Sequence, residues 1–306
     1  MSTKVTTEDL GFDFPPMAAP VITRDTIFQV GVSGGKDSSA ALLWMVRESG
    51  IDPSRIRASF CDTGNEHDIT LEHVQMLSEK VHPIEVIKPE RGFYEMCMHE
   101  KTVPNPVNRM CTRLLKIEPT SEYLQKLKVQ GYDPINVSGV RADESADRSA
   151  CHEWDYNGIM LCVQWRPLIR WTISDVFAIH ERHGIGLNLL YGMGAERVGC
   201  DLCIFSKKAE IRNASVHRPE RIDNIRVWEV QMDGILGRPC CSFYQASKVP
   251  ERFRTKRIIS ASGEEMMTCS IDDVVRWSMT GKGAKGSWED DQPESKGIGC
   301  TSGFCE

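Results

Sequence analysis

The chain has 306 residues, 41% of them hydrophobic and 26% charged, with a formal net charge of −6. This composition supports a sizeable core and excludes wholesale disorder, and the acidic balance argues against attraction of nucleic acid over the whole surface, leaving only a local basic groove for that purpose. No apolar run reaches membrane-span length, and Met1 to Pro20 carries Asp, Glu and Pro without an apolar signal segment, so a cytoplasmic protein with no membrane partner is expected. In a reducing compartment its twelve cysteines read as ligands, catalysts or core residues rather than disulfides.

Residues 1–24 read as a loose lead-in rich in Pro, Thr and Asp. Ile27 to Val32 is a short apolar strand that runs into Ser33-Gly34-Gly35-Lys36-Asp37-Ser38-Ser39, and an Ala/Leu-rich helix follows to about Ser49, with Gly50 as its cap. Two glycines let the backbone approach an anion, and the first-turn N–H groups and helix dipole favour negative charge at the same spot. Lys36 adds a point charge, the serines add hydroxyl donors, and Asp37 is a candidate Mg²⁺ ligand. The chemistry implied is polyphosphate binding, with Lys36 and Asp37 partly exposed at the strand's end.

Arg57 to Phe60 is a second strand ending in Cys61-Asp62-Thr63-Gly64-Asn65-Glu66, and Ile69 to Val81 has helical apolar spacing. Ile84 to Ile87 is a third strand, Gly92 to Asn108 is irregular with Pro104 and Pro106 blocking a long helix, and Thr120 to Gln130 is helical. Ile135 to Ser138 is a fourth strand, leading into Gly139-Val140-Arg141 and on to Arg148; both arginines suit an anionic group and are expected to face the first loop. Thr172 and Asp175 resemble a capping box for a helix through His183, and a charged helical region spans Glu210 to Met232. The βαβαβ alternation predicts an α/β, doubly wound, mostly parallel sheet with a smaller C-terminal region and ligands at the carboxyl ends of the strands.

The Ser33–Ser38 string lacks the Walker A spacing. It resembles the SGGxDS loop of the PP-loop ATP pyrophosphatases, which cleave ATP between the α- and β-phosphates. The order of that loop, Asp62-Thr63-Gly64, Cys111-x-Arg113-x-x-Lys116, Gly139-x-Arg141 through Arg148, and Cys200-x-x-Cys203 resembles the phosphoadenosine phosphosulfate (PAPS) reductase family of that superfamily. Within it, the cysteine blocks look most like the iron–sulfur DNA-phosphorothioation-type and phage-type members. The resemblance covers residues 25–210, leaving a helical region at 211–280 and a flexible cysteine-containing tail at 281–306.

The resemblance implies an adenine nucleotide alpha hydrolase-like fold that binds ATP and Mg²⁺ through Ser33, Gly34, Gly35, Lys36, Asp37, Ser38, Asp62, Thr63, Gly139, Arg141 and Arg148. Lys36, Asp37 and Arg141 would act in catalysis. It also implies a [4Fe–4S] cluster on Cys111, Cys200 and Cys203, with Cys240, Cys241, Cys300 or Cys305 as the fourth ligand; zinc and no metal stay open. A tail cysteine, Cys305 above all, is a candidate nucleophile toward sulfur. The partners implied are an adenine nucleotide, a sulfur donor such as a cysteine desulfurase or a thiol reductant, and a nucleic acid among the candidate acceptors. Reductases of this family typically carry a degenerate first loop, whereas here it is intact. That favours adenylyl transfer from ATP in support of sulfur transfer. Reduction of PAPS or adenylyl sulfate to sulfite is the first alternative, and a nucleotide-binding partner subunit without turnover the second.

Overall fold

The computed structural model describes residues 17–105, 108–237, 239, 243–259 and 263–280. Six strands form the central sheet: β1 (Thr26–Gly31), β2 (Ile56–Cys61), β3 (Ile84–Ile87), β4 (Asp133–Val137), β5 (Trp154–Asn157) and β6 (Cys162–Trp165), in the order β3-β2-β1-β4-β6-β5. All neighbours pair in parallel except β5, which runs antiparallel to β6 at the edge. The chain therefore winds outward through β1, β2 and β3, then returns to lay β4 on the other side of β1. That reversal opens a crevice at the carboxyl ends of β1 and β4, where doubly wound folds hold their ligands.

The first five helices are α1 (Lys36–Arg47), α2 (Asp68–Lys80), α3 (Phe93–Glu100), α4 (Met110–Thr112) and α5 (Glu118–Val129), and a π turn, Arg113–Ile117, joins the last two. Then come α6 (Ala146–Ser149), α7 (Ile173–Arg182), α8 (Leu189–Gly192), α9 (Lys208–His217) and α10 (Pro219–Leu236). A two-stranded antiparallel pair, β7 (Lys256–Ile259) and β8 (Glu265–Thr268), precedes α11 (Ile271–Ser278). Among these residues no helix is long and apolar enough to cross a membrane.

Local chemistry explains most of these boundaries. The β1 side chains from Thr26 to Val30 are all buried, as a central parallel strand covered on both faces requires. His67 Nδ1 accepts the Ile69 N–H and starts α2, and Thr172 and Asp175 form the capping box that starts α7. Pro219 takes the first position of α10, so the charged region after Glu210 is two helices broken at Arg218 rather than one. The segment expected to be irregular contains α3, whose N-cap Gly92 donates its N–H to Glu95. Pro119 lies inside a helical stretch, where its ring would crowd the carbonyl four residues back; the π turn just before it widens the backbone at that point.

Two large apolar clusters result, beside two small ones around Tyr123 and Leu124. One packs α1, α2 and α7 against the sheet and includes Phe28, Val30, Leu42, Leu77, Val137 and Ile179. The other gathers α3, α9, α10 and α11 with Met110, Leu115, Leu202 and Ile204. The blocks bearing Cys111 and Cys200-x-x-Cys203 are thus seated on the second cluster, beside the sheet's carboxyl end.

Candidate nucleotide-binding site

The loop after β1 is drawn tight by its own hydroxyls. Ser33 and Ser38 bring their Oγ atoms to 2.9 Å, Ser38 Oγ accepts the Ser33 N–H at 3.1 Å, and Ser39 Oγ donates to the Gly35 carbonyl at 2.8 Å. Gly34 has φ of +80°, and a Cβ there would stand 2.7 Å from Thr70 Cγ2. Glycine is required at this position for both reasons. Beyond the loop, α1 begins at Lys36 with no side-chain cap on its N-terminus, and the N–H groups of a helix's first turn are those that an anion takes.

Gly139 closes the crevice from the β4 side. A Cβ on it would lie 2.5 Å from the Asp37 carbonyl oxygen and 2.9 Å from the Ser38 nitrogen, so only glycine lets the two strand ends approach this closely. Two residues on, Arg141 Nε donates to Asp37 Oδ1 at 2.5 Å, while Lys36 Nζ pairs with Asp37 Oδ2 at 2.7 Å. Asp37 and Arg141 are 1% and 4% exposed, so the expectation that Asp37 is partly exposed is corrected. With each carboxylate oxygen engaged once, Asp37 holds Arg141 in this conformation. Burial would lower the Arg141 pKa, but the adjacent Asp37 carboxylate outweighs it and holds the guanidinium above its usual range. Glu144 accepts the Arg141 N–H at 2.9 Å and forms an ion pair with Arg148. Arg148 is therefore tied to the same turn through Glu144.

On the β2 side, Thr63 gives its N–H and hydroxyl to Glu66 at 2.9 and 2.7 Å, which shapes the Asp62–Glu66 turn. Asp62 accepts the Gly64 N–H at 3.1 Å and lies 3.6 Å from Lys88. The same turn carries the Cys200 segment: Glu66 and Cys200 form an antiparallel bridge, Asp201 donates its N–H to the Asn65 carbonyl at 2.7 Å, and Asn65 Nδ2 donates to the Leu202 carbonyl at 3.2 Å. Arg218 and Arg221, at the start of α10, brace Asp201 from behind.

The three cysteines named as metal ligands share one neighbourhood. Arg109 stacks 5.9 Å over the Phe205 ring, tying the Cys111 block to the Cys-x-x-Cys block. Cys111 and Cys203 both pack against the second apolar cluster. The Cys200 thiol is pushed up to about 12, by burial first and also by Glu66, Cys203 and Cys111, against a lowering effect of Lys116. The eight cysteines among the described residues are free thiols. Among those residues no set of three or more His, Cys, Asp and Glu is gathered closely enough to hold a metal ion. Cys240, Cys241, Cys300 and Cys305 lie outside the described residues.

Three further side chains touch the loop, and sequence inspection did not single them out. His180 Nε2 faces the Lys36 carbonyl at 3.0 Å, Asn188 Nδ2 donates to the Gly34 carbonyl at 3.2 Å, and the Tyr191 hydroxyl accepts the Lys36 N–H at 3.1 Å. All come from α7, α8 and the turn between them, and no local pattern in the chain marks them.

Residues 28–205 match the family described as the phosphoadenosine phosphosulfate reductase domain, more than half of the chain. The chain belongs to this family. An uncharacterized 37.8 kDa protein of Escherichia phage 186 is 29% identical over 309 residues, covering 85% of this chain and 90% of the relative. Adenosine 5'-phosphosulfate reductase 2 of Bacillus subtilis is 27% identical over 149 residues, covering 47% of this chain and 60% of the relative. The crystal structure of phosphoadenylyl-sulfate reductase from Candida auris in phosphate complex is 16% identical with a TM-score of 0.45, covering 58% of this chain and 82% of that one.

Proposed function

We propose that this PAPS reductase family member is an ATP pyrophosphatase-type enzyme that adenylylates an acceptor and so supports sulfur transfer. The observation that carries the reading is the complete Ser33–Ser38 loop at the start of α1, closed by Gly139 against the Asp37 backbone. Adenylyl sulfate and PAPS carry sulfate in place of the β-phosphate on their 5' chain and have no γ-phosphate, so a full pyrophosphate cradle is superfluous for them and useful for ATP.

In the reaction, an acceptor oxygen attacks the α-phosphorus in line. The bond from that phosphorus to the α,β-bridging oxygen breaks, pyrophosphate leaves, and the acceptor carries AMP. The first-turn N–H groups of α1 and the Lys36 ammonium stabilise charge on the leaving group, with Mg²⁺ taken up with the nucleotide. Asp37 and Arg141 hold the two strand ends at fixed separation, so positioning and preorganised electrostatics supply most of the rate. Cys200, half-buried and bridged by backbone to Glu66 in the turn after β2, is the candidate for handling sulfur at that strand end.

Cys111, Cys200 and Cys203 are the thiolates that a [4Fe–4S] cluster would take by resemblance; as they stand they are not gathered closely enough for a metal, so a cluster would have to draw them together, and it would supply iron for binding sulfur. No step of adenylyl transfer passes through it. The similarity to adenosine 5'-phosphosulfate reductases keeps sulfite formation as the second reading.

The deciding experiment offers the purified protein ATP with Mg²⁺, and separately adenylyl sulfate or PAPS with a thiol reductant. AMP and pyrophosphate from ATP are the expected products. Sulfite without ATP turnover would replace the first reading by the second, and nucleotide binding without either product would leave a binding subunit.

A further inference from the structure

The segment running from α7 into α8 meets the loop at three points, and the chemistry of the three differs. His180 and Asn188 both reach carbonyl oxygens, those of Lys36 and Gly34. Carbonyls are acceptors, so a polyphosphate does not compete for them. The Tyr191 hydroxyl instead accepts the N–H of Lys36 at 3.1 Å, and its ring lies 5.6 Å from the Lys36 ammonium. An N–H of the first helical turn is the kind of donor a phosphate oxygen takes. A charged phosphate oxygen is a stronger acceptor than a neutral phenol.

We propose that Tyr191 is a phosphate-displaced latch. Its hydroxyl holds the Lys36 N–H while the loop is empty and surrenders it to an oxygen of bound polyphosphate, a step that rests on the loop being a polyphosphate site. The two carbonyl contacts survive the exchange, so the loop keeps its shape and α8 stays anchored through its N-cap Asn188 while the Tyr191 side chain swings away. Lys36 Nζ sits between the Asp37 carboxylate and the Tyr191 ring, and departure of the ring would free one side of the ammonium for the ligand. The latch therefore makes the site self-filled, at some expense in affinity for the ligand.

The test is equilibrium binding of Mg²⁺-pyrophosphate to the full chain, wild type against Tyr191→Phe. Phenylalanine keeps the ring beside Lys36 and removes only the competing acceptor. The variant should bind roughly two- to ten-fold more tightly, the range set by one neutral hydrogen bond. Weaker binding would make Tyr191 a ligand contact and overturn the latch, as would unchanged affinity. Hydrogen exchange on the wild type gives a second reading free of any folding defect. Pyrophosphate should slow exchange at residues 36–39 and speed it at 193–194, whose N–H groups bond to the Leu190 and Tyr191 carbonyls; protection of both segments overturns the latch. If the wild type binds pyrophosphate no better than Lys36→Ala does, the loop reading falls and the latch with it. Binding by the wild type with no gain in Tyr191→Phe removes the latch alone.

Discussion

Arg141 Nε stands 2.5 Å from Asp37 Oδ1, and this pair joins the carboxyl ends of β4 and β1 across the point where the strand order reverses. The pair is buried, and Lys36 completes the group from the other side of the carboxylate. Removing one partner leaves an uncompensated charge away from water. Arg141→Ala and Asp37→Ala should each cost on the order of 3–5 kcal/mol of stability and abolish ATP turnover. Thermal melts with assays of AMP release check both effects. A variant that melts like the wild type would show that the pair is not buried in solution. Arg141→Lys should fall between, because an ammonium does not reproduce the guanidinium's fork.

Gly139→Ala tests the close approach without touching any charge. The added methyl would meet the Asp37 carbonyl oxygen at 2.5 Å, an atom of the backbone that cannot rotate away. The start of α1 must shift, and pyrophosphate affinity should fall by an order of magnitude or more, as small displacements of positioned groups do. Gly158→Ala is the matched control, since nothing lies within 4 Å of its Cβ position. Equal binding by the two variants would remove the steric argument.

Much of this site was readable because its signals are local. The Ser33–Ser38 string, the strand before it and the helix after it occupy contiguous positions, and the strand ends at Asp62 and Gly139 follow from apolar runs. The Asp37–Arg141 bond is different in kind: it joins residues 104 positions apart, and although Arg141 is expected to face the first loop, nothing local shows that Asp37 is buried as its partner. Likewise His180, Asn188 and Tyr191 touch the loop only because α7 packs on α1. The helix α3 was missed because Pro104 and Pro106 argue against a long helix over 92–108, whereas the helix is short and stops at Lys101, in the left-handed region, before Pro104. The seating of both cysteine blocks on one apolar cluster depends on α9 and α10, whose apolar faces do not announce their partner.

The pH dependence of stability should carry a signature from His73, which packs between α2 and the loop with Nε2 3.5 Å from Ser39 Oγ. Burial, with His180 nearby, lowers its pKa from 6.5 to about 4. The unfolded chain then takes a proton below pH 6.5 that the folded chain refuses until about pH 4, so stability is lost as pH falls through that window. The contribution is up to about 3 kcal/mol. Glu229, buried and accepting N–H groups from Phe243 and Ile271, has its pKa raised to about 7. The folded chain keeps that proton after the unfolded chain has released it, so its contribution falls as pH rises from 4.5 to 7, opposite in sign. His73→Gln should remove the first slope alone, seen as a smaller loss of melting temperature between pH 7 and pH 5 relative to wild type. Parallel pH profiles for the two proteins would contradict the assignment.

The cysteine neighbourhood gives the last prediction. Cys200 is linked by backbone to the turn after β2, Cys203 and Cys111 pack on the second apolar cluster, and Arg109 over Phe205 ties the two blocks together. The Cys200 thiol is pushed up to about 12 chiefly by burial, so its thiolate needs a cation to be stable, and iron that drew the three thiols together would supply one. Protein purified without oxygen and supplied with iron and sulfide should show the broad visible absorption of thiolate-bound iron and hold roughly four irons per chain. Cys111→Ser, Cys200→Ser and Cys203→Ser should each lose most of that iron, while Cys162→Ser, whose buried thiol lies at the far side of the sheet on β6, should keep it. Iron that survives loss of all three thiols would place any cluster elsewhere. A chain that takes up no iron yet releases AMP and pyrophosphate from ATP would leave adenylyl transfer intact and give the three cysteines a metal-free role.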